Sequence, residues 1–355
     1  MFILIKTRLL YWWSEMSLFL VVWLVITFLL VLVALKKFKN QTLKLIIFNV
    51  LLLLFLLSTV LNIGESYYRF IYDYSDTLGV LQTSKRWLVK HAVYNADFFR
   101  DRNFTTSKPD GTTRIEVIGD SFSFGSGVEV NQRFSDILQA KLNNQNKGNF
   151  EVYNTSTPGW ESKDELGYLQ NKASMFDFDV VILSYFLNDI YKDRAFDLPF
   201  YNPSLMRFME NPYLKPIFKR SVFIETMTAK FLNVSNSVSF DINNREIKLY
   251  NDPQTWANHT KTLQDIIDLT HKRNQKLIVV IFPYLDFVSQ KPYPAKAVHA
   301  KIDNFFNEQN IVVIDLYPIL KNYPPEKLKA SKYDIHPSPF VHRIVAGKLF
   351  ELLKK

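Results

Sequence analysis

The chain has 355 residues, 48% of them apolar, enough for one large domain or two modest ones with a sizeable core. It contains no cysteine, which excludes disulfides, thiolate catalysis and cysteine-ligated metal. The net charge is +9, yet the basic residues are scattered and several flank apolar runs, so nucleic acid is not an expected partner.

The first third predicts a membrane hairpin over residues 1–64. Residues 17–35 (SLFLVVWLVITFLLVLVAL) and 45–63 (LIIFNVLLLLFLLSTVLNI) carry no charge, and each is about the length a helix needs to cross the hydrocarbon core. Two such runs in succession argue against buried soluble helices, and a first run this long, followed by a second, argues against a cleaved signal peptide. Between them lie Lys36, Lys37, Lys39 and Lys44, which the positive-inside rule assigns to the cytoplasm. Both termini are then expected on the periplasmic or extracellular side. Tyr11, Trp12 and Trp13 before the first run, and Tyr67, Tyr68, Phe70, Tyr72 and Tyr74 after the second, read as interfacial belts. Asn49, inside the second run, is expected to bond the neighbouring helix.

Residues 65–113 read as a juxtamembrane linker and the start of the soluble domain, which occupies 114–355. From there strands and helices alternate. Strands are predicted at 114–119, 150–154, 180–184, 276–282 and 311–316, and helices at 133–144, 162–175, 253–273, 295–309 and 339–353. This rhythm predicts an α/β fold with a parallel five-stranded sheet covered on both faces. The stretch 191–251, rich in aromatics and proline, interrupts it as a helical insertion packed on the sheet edge, with a lid or a membrane-facing excursion as the alternatives.

Four short blocks stand at the carboxyl ends of these elements, where open α/β sheets hold ligands. Gly119-Asp120-Ser121 follows the first strand; a serine there, before a helix end with unpaired N–H groups, is well placed for a nucleophile. Taken alone, it reads equally well as a tight turn with Ser121 as a helix cap. Asn154-Thr-Ser-Thr-Pro-Gly159 follows the second strand, Phe186-Leu187-Asn188-Asp189 the third, and Asp334-Ile-His336-Pro337 precedes the last helix. The other histidines lack ligand spacing with carboxylates, so no metal is expected, and nothing demands a cofactor.

In order and spacing the four blocks resemble those of the SGNH (GDSL-type) hydrolase superfamily, from about Asn95 to the carboxyl terminus apart from the insertion. The resemblance implies a flavodoxin-like three-layer sandwich and a serine esterase. Ser121 would be the nucleophile, His336 its general base and Asp334 the residue that orients the ring. The backbone N–H groups of Ser121 and Gly159 and the side-chain amide of Asn188 would form the oxyanion hole. Two positions depart from the family pattern. Phe186 stands two residues before Asn188, where glycine is usual, and Asp334 stands two residues before His336 where the commoner spacing is three, occupied here by Tyr333. A Ser–His dyad is therefore an alternative to the triad.

Three functions fit these observations. The first is a membrane-anchored esterase that removes acyl groups, acetyl above all, from an envelope glycan or a lipid. The second is an O-acyltransferase on envelope polysaccharide, which shares the fold and triad and differs only in whether water or a sugar takes the acyl group. The third is a catalytically silent binding module of an envelope assembly, in which case the partner is a protein.

Overall fold

The computed structural model describes residues 2–76, 81–145, 149–191, 211–213, 215–231 and 245–354. Of the insertion expected at 191–251, residues 192–210, 214 and 232–244 lie outside that set. The chain divides into two units, Met1–Asp73 with Ser204–Leu232, and Tyr74–Pro203 with Asn233–Lys355.

The first unit is helical. α1 (Phe2–Leu35) and α2 (Gln41–Ser66) run through the two apolar stretches and pack on each other. Trp23 Nε1 donates to Thr59 Oγ1 at 2.8 Å, and Asn62 Nδ2 lies 3.4 Å from Phe19 O. The interhelical role expected of Asn49 therefore falls to Thr59 and Asn62. With Phe55, whose ring meets that of Trp23 at 5.5 Å, these two lie on one helical stripe, whereas Asn49 lies off it and is exposed. With the π-helical turn Tyr67–Ile71 that continues it, α2 is long and apolar enough to cross a membrane; α1 adds a shorter apolar stretch, Phe19–Leu35. The described part of the insertion includes helices Lys215–Arg220 and Val222–Phe231, the second of which packs on α2, and a helical stretch at 245–251 whose buried Tyr250 hydroxyl lies 2.6 Å from that of Tyr185. The 245–251 stretch keeps the packing on the sheet domain that was expected, whereas Val222–Phe231 departs from it. The buried Glu65 carboxylate explains it, accepting from Ser221 Oγ at 2.7 Å, Val222 N at 2.9 Å and Phe223 N at 3.0 Å, the otherwise unpaired donors of a helix start. Arg69 in turn donates to Glu65.

The second unit is built on five parallel strands, β1 (Thr112–Gly119), β2 (Asn149–Asn154), β3 (Val180–Tyr185), β4 (Lys276–Ile281) and β5 (Val312–Asp315), in the order 2-1-3-4-5. This is the parallel five-stranded sheet the sequence predicts, in the flavodoxin-like arrangement that the resemblance implies. β3 is buried along its whole length, which is why VVILSY opens with four consecutive apolar residues rather than an alternation. A polar helix, α3 (Gln82–His91), precedes β1, and a four-residue helix, α4 (Ser121–Phe124), follows it. The step from β1 to β2 runs one way along the sheet, and every later step runs the other way. Right-handed crossovers therefore put α5 (Phe134–Gln145) on one face and α6 (Ser162–Asn171), α7 (Pro253–Lys272) and α8 (Lys296–Glu308) on the opposite face. The last helix, α9 (Pro339–Leu353), returns to pack on α5. Phe134, Leu138 and Leu142, spaced by four, turn one stripe of α5 wholly into the core. A short antiparallel pair not predicted from sequence, β6 (Lys329–Ser331) and β7 (Asp334–Pro337), stands just before α9.

Candidate active site

With this strand order the winding reverses between β1 and β3, and the crevice outside the carboxyl ends of those two strands is where such sheets bind ligands. β1 and β3 are in register from Ile115 opposite Val180 to Gly119 opposite Ser184, so the blocks around Ser121 and Asn188 leave the sheet side by side. Gly119 has no room for a side chain. A Cβ there would lie 2.5 Å from Ser123 Oγ and 2.7 Å from Ser184 O, the latter backbone that cannot swing away.

Asp120, rather than Ser121, caps α4. Its Oδ1 accepts from Phe122 N at 2.8 Å, and its Oδ2 accepts from Asn188 Nδ2 at 3.2 Å. Ser121 is thus the first residue of the helix, half-buried. Its backbone N–H and its hydroxyl make no hydrogen bond among the described residues. Burial pushes the Asp120 carboxyl up to about 6, against the Phe122 N–H, the His336 charge and the Asn188 amide, which hold it down.

β7 carries Asp334 and His336, and α4 packs against it, with the Phe122 ring edge-on to the His336 ring at 5.5 Å. His336 Nδ1 lies 2.5 Å from Asp334 Oδ1, which also accepts from the His336 backbone N–H at 3.0 Å. The spacing of two, short for the family pattern, is the natural one here, because residues i and i+2 of a strand project from the same side. That bond leaves Nε2 of His336 as the ring's free nitrogen among the described residues. Burial alone would lower the His336 pKa. The Asp334 charge and hydrogen bond, with the Asp120 charge, outweigh it and raise the pKa above the usual histidine value. No hydrogen bond joins Nε2 to the Ser121 hydroxyl among the described residues; catalytic bonds of this kind commonly tighten only around substrate.

Gly159 sits on an exposed turn after β2 at φ +79°, where glycine is favoured by its backbone and not by crowding. Its loop is tied to the site by Thr157 N, which donates to Gly119 O at 3.0 Å. No hydrogen bond joins Gly159 itself to Ser121 or Asn188 among the described residues. Phe186, in place of the usual glycine, stacks on Phe122 with ring centroids 3.9 Å apart, so the residues after Ser121 and before Asn188 form one aromatic wall that reaches His336.

Some contributors had no signal in the local sequence. Arg100, buried and from the segment before β1, donates to Gly125 O at 2.7 Å and Val128 O at 2.8 Å, holding the chain that leaves α4. Its guanidinium is lowered to about 10, chiefly by burial. Glu165 on α6 and Asp189 beside Asn188 are wholly buried near Asp120, and burial, with repulsion from the Asp120 charge, holds both well above the usual carboxylate range. A serine far from the blocks, Ser75, donates to Asp334 Oδ2. A spatial pairing across 259 residues is not readable from spacing.

The doubly wound sheet, with polar side chains gathered at its switch point, places the chain among three-layer α/β enzymes. It belongs to the GDSL-like lipase/acylhydrolase family, whose model matches residues 117–344, more than half of the chain, and it is accordingly a hydrolase acting on ester bonds. Similar solved structures include a member of the lipolytic G-D-S-L family from Veillonella parvula DSM 2008, at 17% identity over 68% of this chain and 99% of that one, with a TM-score of 0.41. The lipase/acylhydrolase from Enterococcus faecalis has 17% identity, covers 68% and 95%, and scores 0.41. A catalytic mutant of the acetylxylan esterase Axe2 from Geobacillus stearothermophilus has 16% identity, covers 67% and 93%, and scores 0.42. No protein of curated function matches the chain.

Proposed function

We propose that the protein is a membrane-anchored serine esterase that removes a short acyl group, most simply acetyl, from an envelope glycan or lipid. The observation that carries this reading is the His336–Asp334 bond on β7, packed against the helix that begins with Ser121. His336 Nε2 takes the Ser121 proton as Oγ attacks the ester carbonyl, and Asp334 stabilises the imidazolium so formed. The tetrahedral oxyanion is met by the N–H groups of Ser121 and Gly159 and by Asn188 Nδ2. The imidazolium then protonates the departing alcohol, leaving an acyl-Ser121. Water attacks the acyl-enzyme, giving its proton to His336, and the acid leaves as Oγ recovers a proton. No step requires a cofactor.

The preference for a short acyl group rests on Phe186, whose ring fills the place of a glycine and stacks on Phe122 beside His336. The anchor rests on the two apolar stretches of α1 and α2, and the lysines between them favour a site outside the cytoplasm. The test is hydrolysis of p-nitrophenyl acetate and longer-chain esters by the full chain in detergent, beside Ser121→Ala and His336→Ala. Loss of hydrolysis in both variants, with acetate preferred, is the expected result. Full activity in Ser121→Ala refutes the mechanism, and faster transfer to an added glycan than to water makes the protein a transferase.

A further inference from the structure

We propose that Ser75, contributed by the segment that follows the membrane-proximal helix, is a positioning residue for Asp334, the carboxylate that orients His336; this rests on the serine-esterase reading above. Asp334 is 1% exposed, and both its oxygens are occupied. Oδ1 takes two donors from His336, the ring Nδ1–H and the backbone N–H. Oδ2 takes the Ser75 hydroxyl, the one side-chain donor recorded on it among the described residues. A buried carboxylate oxygen left without a donor is costly, and a carboxylate held at one oxygen only can rotate about its bond. Ser75 closes that freedom. It holds Oδ2 while Oδ1 holds the imidazole, so the ring stays aimed as its charge appears and disappears in each half-reaction.

The surroundings are arranged for this contact. Ser75 is buried, and its own carbonyl accepts from Ser331 Oγ at 2.8 Å. Ser331 pairs with Asp334 across β6 and β7, so the hairpin that carries the acid also grips the residue that orients it. One residue on, the Asp76 backbone N–H donates to Ser84 Oγ of α3 at 3.1 Å, which ties the segment down further. Gly127, at φ +82°, passes over the contact. A Cβ there would come within 3.1 Å of Asp334 Oδ2 and 2.6 Å of Ala330 Cβ, so only glycine lets the loop close over the pair. Ser75 also lies outside residues 117–344, the part matched by the family, and only Tyr72, Asp73 and Tyr74 separate it from the end of the π-helical turn at Ile71. The site is therefore completed by this chain's own juxtamembrane segment.

The experiment measures kcat and KM for p-nitrophenyl acetate on the full chain in detergent, for Ser75→Ala, Ser75→Thr, Ser84→Ala and Ser121→Ala. Because Ser75 acts on the acid and not on substrate, Ser75→Ala should lower kcat about tenfold with KM changed less than about twofold. Ser75→Thr, which keeps the hydroxyl, should recover most of kcat. Ser84→Ala, which loosens the same segment without touching Asp334, should keep wild-type kcat. Wild-type kcat in Ser75→Ala overturns the proposal, as does an equal loss in Ser84→Ala or no recovery in Ser75→Thr. Ser121→Ala separates the two levels of failure: if it is inactive while Ser75→Ala is normal, only the role of Ser75 falls, whereas activity in Ser121→Ala removes the mechanism on which that role depends.

Discussion

Replacing Asp334 by asparagine tests how the acid acts. Oδ1 accepts two N–H groups from His336, so the asparagine oxygen belongs there, since an NH2 group would face two donors. The amide NH2 then meets Ser75 Oγ, a hydroxyl that can accept as well as donate. The ring therefore keeps its tautomer and its aim, and only the charge is lost. A carboxylate and an imidazolium with charge centres roughly 4 Å apart attract by about 4 kcal/mol at an effective dielectric of about 20. That is about three powers of ten in rate, so kcat/KM should fall about a thousandfold.

The pH profile carries the same information with a sign. The base must be neutral to take the serine proton, so activity rises with pH through the His336 pKa, which lies above the usual value because Asp334 and Asp120 outweigh burial. In Asp334→Asn burial acts against Asp120 alone, and the acidic limb should move to lower pH. The assay is kcat/KM for p-nitrophenyl acetate from pH 5 to 9, with the fold checked by near-ultraviolet circular dichroism. Activity within tenfold of wild type, or an unmoved limb, would show that Asp334 does not stabilise the imidazolium and that a Ser–His dyad suffices.

Asn188→Ala removes one proposed oxyanion donor and should lower kcat about a hundred- to thousandfold with little change in KM; an unchanged kcat places the oxyanion elsewhere. Phe186→Leu opens space against Phe122, and the ratio of kcat/KM for butyrate over acetate should rise about tenfold, since a methylene in a pocket is worth roughly 1–3 kcal/mol. No change in the ratio means that the acyl group lies away from this wall. Glu116→Gln concerns stability. Glu116 is wholly buried in β1 and pushed up to about 8 by burial, so the folded state keeps a proton that the unfolded chain releases above about 4.5. Its stability cost therefore grows with pH across that window, and glutamine should stabilise the sheet domain by about 3 kcal/mol at pH 7. Melting curves at pH 5 and pH 8 check it: the advantage of glutamine must widen as pH rises.

The sheet was readable because parallel strands announce themselves. Val180–Tyr185 and Lys276–Ile281 are apolar runs bounded by polar turns, and the order of strands and helices admits few windings. Helix starts were marked too: Asp252 accepts from Thr255 N ahead of Pro253. The elements that escaped lack such marks. α3 reads QTSKRWLVKH with no apolar stripe of length, and the packing of the insertion helix Val222–Phe231 on α2, though not its helicity, depends on Glu65, a residue far away in sequence. β6 and β7, at three and four residues, are too short for any period to show.

That last omission decided how the site could be read. Ser121, Asn188 and His336 stand at ends of elements, where local sequence is informative, but the spacing of Asp334 to His336 makes sense only once β7 is known to be extended. Three residues apart suits a loop or a helical turn. Two apart in a strand turns both side chains the same way and lets Oδ1 reach Nδ1 and the backbone N–H of the same histidine. The unusual spacing and the hairpin are therefore one feature. The hairpin in turn must be held, which brings in Ser331 and, through it, Ser75. A short motif can name the acid and the base; whether they form a rigid pair depends on a serine that precedes the matched family region altogether.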